Sequence, residues 1–421
     1  MRNNQSINKV LLTHFTNGNG AAGYLRGKIP GIVNYLNDFF LTRSDIQRIQ
    51  TAEILSEKIL SLTDFSELIP LRSEVATLEI KRLLSYKKQT DHTAHTVYLF
   101  LLGIWVYDNN KEIQDSIDKS INSMKRLKMF IFQWTFSSLL HDIGYLFYEY
   151  KQTENDDSWK LYDKMFEDEN IIESAGNLTG QNKENFRKII EKFNGFKSIS
   201  LTETSSPIEL VNQLSYIPWL SELDFKSSSG LEVMELETRV GEGLTIFSKK
   251  MATEGYDGKT PVVDHGIASS LMLLKYSSMW YWLYKESEKN EELFTELTAN
   301  FKYPIEVLKK HVIPACRAVA YHNMPNVSFE LSHDPLLYLA VLCDELQVWD
   351  RFLSGQEHID NWKDVEHCMS EQINAEIICD SEGKNQIHFL TTENQYEKIT
   401  KTMNSRLVDW QRFVQLSIKK L

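Results

Sequence analysis

Apolar positions along the chain recur mostly at three- and four-residue intervals, the spacing that gives a helix one buried face. Ile46 to Leu62 reads as an amphipathic helix, with Ser44 placed to cap its start. Val97 to Tyr107 and Met129 to Leu140 read as buried helices. Ile267 to Tyr284, rich in Leu, Met and Trp, predicts another. Leu336 to Leu353 predicts a further one, with Asp334 as N-cap and Pro335 at the first helical position. Glu393 to Leu421 also reads as a helix. Strand signals are few. Ala375–Cys379 and Gln386–Leu390 flank a turn-like Asp380–Asn385 stretch and predict one hairpin. The pattern is that of a mainly α protein, a helical bundle with a small C-terminal hairpin and helix.

Between Tyr150 and Pro261 the helical period weakens. Ser198 to Pro207 is rich in Ser and Thr, and Lys226 to Gly230 reads as a loop. This stretch is expected to be an insertion, at about 150–261, in a central domain over 91–353. A helical region over 1–90 precedes that domain, and a hairpin with a helix over 354–421 follows it. The longest apolar run, Val97 to Tyr107, has eleven residues. A membrane span needs about 20, so none is expected.

The 421 residues carry a net charge of −12. Non-specific binding to nucleic acid or to anionic membranes is therefore not expected. An anionic substrate would need a local cationic centre, and a metal ion would supply one. Cys316, Cys343, Cys368 and Cys379 show no CxxC spacing and read as reduced thiols. With no signal peptide evident, a cytoplasmic location is expected. A homo-oligomer is compatible with the sequence but not specified by it.

Gly18-Asn19-Gly20-Ala21-Ala22-Gly23 fits the GxGxxG pattern, and Asp38 follows about 20 residues on. A dinucleotide site needs a helix starting at that loop. Gly27 and Pro30 interrupt the segment that would form it. The motif is therefore read as a flexible Asn/Gly loop, not as a dinucleotide site.

Histidine and aspartate carry the chemistry. His141-Asp142 closes an apolar helix, just before Ile143-Gly144-Tyr145. An imidazole and a carboxylate side by side suit a divalent metal, although a capped helix end reads the same way. Companions strengthen the metal reading. Asp91-His92-Thr93-Ala94-His95-Thr96 leads into one buried helix, and Asp264-His265-Gly266 starts another. Ala320-Tyr321-His322-Asn323 ends a helix before Pro325. Asp344 sits in a stretch that otherwise reads as core, and a buried carboxylate is tolerated only when paired or bound to a metal.

The ordered set His95, His141-Asp142, Asp344 resembles the HD superfamily of metal-dependent phosphohydrolases. His141–Tyr145 and Cys343–Arg351 are especially similar to bacterial HD-domain proteins, and the motifs span about 91 to 351. Both His92-Thr93 and His95-Thr96 fit the family's first ligand, and His95 lies closer to the buried helix. His92, three residues earlier, would then stand beside the ligands or on the substrate. Members with two metals add two histidines between the HD pair and the last Asp, and His265 and His322 fall in that interval. The resemblance thus implies two ions about 3.5–4 Å apart. Their ligands would be His95, His141, Asp142, His265, His322 and Asp344, with Asp142 bridging. Outside the family, His265 would read as a helix start beside an Asp264 cap, and His322 as a core histidine. Mixed His and carboxylate ligation suits Mn, Fe, Co, Ni or Zn, and leaves Mg possible for substrate phosphates.

On a continuous Asp344 helix, Gln347 and Arg351 would share its face, and Arg351 would reach a phosphate or form a surface ion pair. Lys259 would contact phosphate or stay solvated. Tyr145 and Tyr148 would stack on a base or pack in the core. The function expected is hydrolysis of a nucleotide, preferably a (deoxy)nucleoside triphosphate, by metal-activated water. Tyr145–Glu149 replaces the proline- and glycine-rich segment of the deoxyguanosine triphosphohydrolases. No Gly-Tyr-Pro motif of the cyclic-dinucleotide phosphodiesterases is found. A cyclic nucleotide or dinucleotide phosphodiesterase and a non-catalytic nucleotide sensor are the alternatives. Deoxynucleotide depletion in antiviral defence is a setting that such an activity suggests.

Overall fold

The computed structural model describes residues 6–42, 45–63, 65–86, 92–148, 159–193, 199–201, 209–210, 213–214, 264–299, 307–324, 327–349, 374–379, 385–391 and 393–418. Its helices in chain order begin with α1 (Ile7–Asn17), α2 (Gly20–Lys28), α3 (Ile32–Leu41), α4 (Asp45–Leu60) and α5 (Ile69–Tyr86). Then come α6 (His92–Asn109), α7 (Lys111–Ile121), α8 (Arg126–Leu139) and the short α9 (Tyr145–Tyr148). Next are α10 (Trp159–Lys164), α11 (Asp168–Ser174), α12 (Gly180–Lys192), α13 (His265–Ser287) and α14 (Glu291–Ala299). The last are α15 (Ile313–Tyr321), α16 (Pro335–Leu346) and α17 (Glu393–Arg406). The strands are β1 (Asn374–Cys379), β2 (Asn385–Thr391) and β3 (Val414–Ile418). The protein is mainly α, as the periodicity predicts.

Two compact units divide the chain, and each is discontinuous. One comprises Met1–Leu62, Val75–Leu139 and His322–Leu421, and the other Thr63–Glu74 and Leu140–Tyr321. This differs from the linear division at about 90 and 353. The reason is that α6 and α16, expected in a central domain, pack with N- and C-terminal elements in the first unit.

The first unit is built on α6, whose residues Thr93 to Tyr107 are all buried. Its amino end is held by the buried Glu79 carboxylate, which accepts from Thr93 N–H at 3.1 and 3.2 Å. Gly103 is the close-approach point for α8. A Cβ there would lie 2.0 Å from the Trp134 ring. With no side chain in the way, Trp134 Nε1 donates to Phe100 O at 2.9 Å, and Phe130 stacks on Tyr107 at 3.8 Å. The expected hairpin is present, with β1 and β2 antiparallel. The C-terminal segment departs from the expected continuous helix. α17 stops at Arg406, Asp409 takes a left-handed φ of 55°, and β3 then pairs parallel to β2.

The glycine motif also departs from expectation. It is not a loose loop, because α2 starts at Gly20. Yet its amino end holds an internal anion. Asp108 Oδ1 accepts from Ala21 N–H at 2.7 Å, and Oδ2 accepts from Ala22 N–H at 2.9 Å. His14 Nε2 lies 3.0 Å from the same Oδ2. Gly20, at φ +65°, passes so close that a Cβ would meet Asp108 Oδ1 at 2.3 Å. The carboxylate of Asp108 stands where a dinucleotide phosphate would have to sit.

The second unit centres on α13, buried along nearly its whole length. It packs with α9, α12, α14 and α15. Ser270 Oγ donates to Cys316 O at 2.7 Å, and Tyr162 Oη donates to Met272 O at 2.8 Å. Burial pushes the Cys316 thiol up, which suits an inert core cysteine. α10, α11 and α12 lie within the expected insertion, and 215–263 lies outside the described residues. Among the described residues, no helix is long and apolar enough to cross a membrane.

Candidate metal centre

In the second unit the chain leaves α8 and turns through Leu140 to Gly144 before α9. The turn can press on the start of α13 because residue 144 is glycine. A Cβ there would lie 2.1 Å from His265 O and 2.8 Å from Ser269 N. Gly144 N–H donates to Ser269 Oγ at 2.7 Å, which fastens the two segments. Asp264 caps α13, accepting from Ile267 N–H at 3.0 Å, and so directs His265 into the first turn.

This packing gathers three of the expected ligands around one oxygen. Asp142 Oδ1 lies 3.2 Å from His141 Nε2 and 3.4 Å from His265 Nε2. His141 and Asp142 are buried. Two imidazole nitrogens bound to one ion with a carboxylate oxygen, each about 2.0–2.2 Å from it, would be separated by about 3–3.5 Å. Each of the two nitrogen–oxygen spacings at Asp142 Oδ1 is one that two donors to a common ion can have. Tyr145 stacks on the His265 ring, with centroids 4.4 Å apart and planes 10° from parallel. It therefore packs on a proposed ligand, and this face of its ring is not open to a base.

In the first unit α6 contributes His95 and α16 contributes Asp344. His95 Nε2 lies 2.8 Å from Asp344 Oδ1. His95 Nδ1 faces Gln347 Oε1 at 2.5 Å, while Gln347 Nε2 donates to Trp349 O at 2.7 Å. The amide orientation makes Gln347 Oε1 an acceptor, so Nδ1 carries the ring proton. On a neutral ring Nε2 then presents a lone pair to a carboxylate oxygen. Two acceptors at 2.8 Å repel, and the arrangement needs either a second ring proton or a cation between them. His95 with Asp344, and separately His141 with Asp142, offer donor atoms close enough together to share one ion.

Gln347 differs from its expected substrate role. It is fully buried, and its amide is engaged by His95 and Trp349. The helix also ends earlier than the expected Leu353. Its last residue is Leu346, and Gln347 turns away at φ −80° and ψ 79°. Gln347 therefore does not extend a helical face from Asp344. Asp334 makes no side-chain cap, although Pro335 does stand at the first turn.

His322 follows α15 directly and is buried. Its carbonyl accepts from Arg406 Nη2, and Arg406 Nη1 donates to Glu345 Oε1 at 3.0 Å. Burial, and then the neighbouring Asp344, push Glu345 up, while Arg406 pulls it down. Arg406 thus ties the His322 backbone to the helix that bears Asp344. It has no local signature in the sequence, since Glu345 lies 61 residues away from it. His92 opens α6, half-buried, three residues before His95. Lys259 and Arg351, expected to contact substrate, lie outside the described residues, as does Asp91.

No protein-family model matches the chain, and no curated protein or solved structure matches it.

Proposed function

We propose that the protein is a metal-dependent phosphohydrolase acting on a nucleotide, with a (deoxy)nucleoside triphosphate as its preferred substrate. The observation that carries this reading is His95 Nε2 and Asp344 Oδ1, held 2.8 Å apart with Gln347 on the other ring nitrogen, a contact that a shared cation would satisfy. The nitrogens of His141 and His265, at 3.2 and 3.4 Å from Asp142 Oδ1, support it. The proposed ligands are His95, His322 and Asp344 in the first unit and His141, Asp142 and His265 in the second, which would take divalent ions. Imidazole and carboxylate donors favour a transition metal or zinc.

Bound there, a divalent ion would lower the pKa of water and neutralise phosphate charge. The chain's own residues prepare the ligands. Gln347 holds the His95 proton on Nδ1 and leaves Nε2 as the donor atom. Tyr145 fixes the plane of the His265 ring. Arg406 fixes the backbone at His322. With a net charge of −12, the protein has no bulk attraction for a polyanion, so affinity would depend on such a centre.

Elemental analysis of the purified, metal-reconstituted protein tests the reading. Two divalent ions per chain are expected, lost with Asp142→Ala. Protein that takes up no metal after reconstitution would leave His95–Asp344 as an imidazolium–carboxylate pair and overturn the proposal.

A further inference from the structure

A second feature of the first unit lies apart in sequence from every proposed ligand. Tyr24 and Lys28, on the last two turns of α2, line a depression of about 630 Å³ with the segment Met124–Lys128 at the start of α8. Its charged lining is all of one sign: Lys28, Lys125, Arg126 and Lys128, with no acidic side chain among the lining residues. Lys28, Lys125 and Arg126 are exposed. In a chain of net charge −12 this is a concentration against the overall balance.

The charges also run against the helix. The first turn of α8 contains no acidic residue and carries Arg126 and Lys128, with Lys125 just before it. Helix starts carry a partial positive charge and backbone N–H groups without intrahelical acceptors, so cations there are disfavoured unless an anion joins them. The approach to the helix is fixed. Asn122 adopts a left-handed φ of 43°, and Ser123 Oγ accepts from Lys125 N–H at 3.1 Å. Met124 stands fully exposed on the rim, and the half-buried Tyr24 ring, with Lys28 Nζ 5.8 Å from its centroid, adds a flat apolar wall. Gly27 has open space where a side chain would stand.

We propose that this basic depression binds a polyphosphate group. Several cations around a cavity of this size suit an anion with more than two charges better than a lone carboxylate. The group can belong to inorganic polyphosphate or to a nucleotide whose base lies against Tyr24 and Met124.

Titration calorimetry of the metal-free full chain with inorganic triphosphate is the test, because chelation silences the proposed metal centre. Wild-type and Asp142→Ala proteins should bind alike, with affinity that falls as salt rises. Lys125→Glu with Arg126→Glu should weaken binding at least about tenfold, since each charged contact contributes on that scale. Both positions are exposed, so the fold should be kept, which a thermal unfolding scan would verify. Adenosine triphosphate binding more tightly than triphosphate, with the difference abolished by Tyr24→Ala, would identify a nucleotide. Equal affinities would identify the polyphosphate alone. Undiminished binding by Lys125→Glu/Arg126→Glu, loss with Asp142→Ala, or no binding by wild type at millimolar triphosphate would overturn the assignment. None of these outcomes depends on whether the protein hydrolyses nucleotides.

Discussion

His95 and Gln347, 252 residues apart, are joined through Nδ1 and Oε1 at 2.5 Å, and this contact decides which ring nitrogen faces Asp344. Gln347→Leu removes the acceptor and frees the ring to change tautomer. Metal affinity should fall about 10- to 100-fold, as when such supporting partners are removed from other metal sites. Gln347→Glu keeps an acceptor for Nδ1 and should recover part of the loss. Chelator competition measures both variants, with unfolding curves to show that the fold is kept. Affinity unchanged in Gln347→Leu would mean that His95 is not a ligand.

Gly103 should be intolerant of any side chain. The Trp134 ring occupies the space of a Cβ, and Trp134 is pinned by its bond to Phe100 O. Gly103→Ala should cost about 1–3 kcal/mol by overpacking, although alanine is the better helix former. Urea denaturation reads the change. A stabilised variant would mean that α6 and α8 can separate without cost.

The Asp108 carboxylate should matter to the amino-terminal helices. Asp108→Ala leaves the buried Ala21 and Ala22 N–H groups without their acceptor and His14 without its partner. A loss of about 2–4 kcal/mol is expected on unfolding. Hydrogen exchange should show α2 opening first. Unchanged protection of Ala21 and Ala22 in the variant would contradict this.

Much of this was legible locally, and the misses have a common cause. His141-Asp142-Ile143-Gly144 can be read as a motif because the ligands are adjacent. The need for Gly144 comes from His265 and Ser269, more than a hundred residues later. The buried helices around Leu101, Phe132 and Leu273 follow from predominantly apolar stretches. The end of α16 at Leu346 does not, because no glycine or proline marks it. Gln347 leaves the helix where its amide engages His95 and Trp349, partners that a local pattern cannot reveal. The segment after Arg406 reads as helix by spacing, yet β2 offers it a strand edge. Arg406 itself joins Glu345 and the His322 carbonyl across long stretches of chain, and nothing near it in sequence marks that role.

Stability should decline on the acid side through His311. Burial, and then Lys310, lower its pKa to about 4, against an ordinary value near 6.5. Above about 6.5 the ring is neutral in both states, and its contribution is complete. Below that the unfolded chain takes up a proton that the folded chain refuses, so stability is lost progressively down to about pH 4. The loss should be on the order of 3 kcal/mol. His311→Leu should flatten this part of the curve of stability against pH. A curve of unchanged slope between pH 6.5 and 4 would assign the acid sensitivity to other groups.

Turnover of nucleotides by the metal-reconstituted protein, with products resolved by chromatography, tests the central claim most directly. Hydrolysis of a (deoxy)nucleoside triphosphate is predicted. It should be abolished by chelation, restored by a divalent transition metal, and lost in Asp142→Ala at a retained fold. Release of triphosphate, release of pyrophosphate and opening of a cyclic phosphodiester give different products, so the bond cleaved is read from the same chromatogram. No turnover of any nucleotide by fully metallated protein, or undiminished turnover by Asp142→Ala, would contradict a metal-dependent phosphohydrolase.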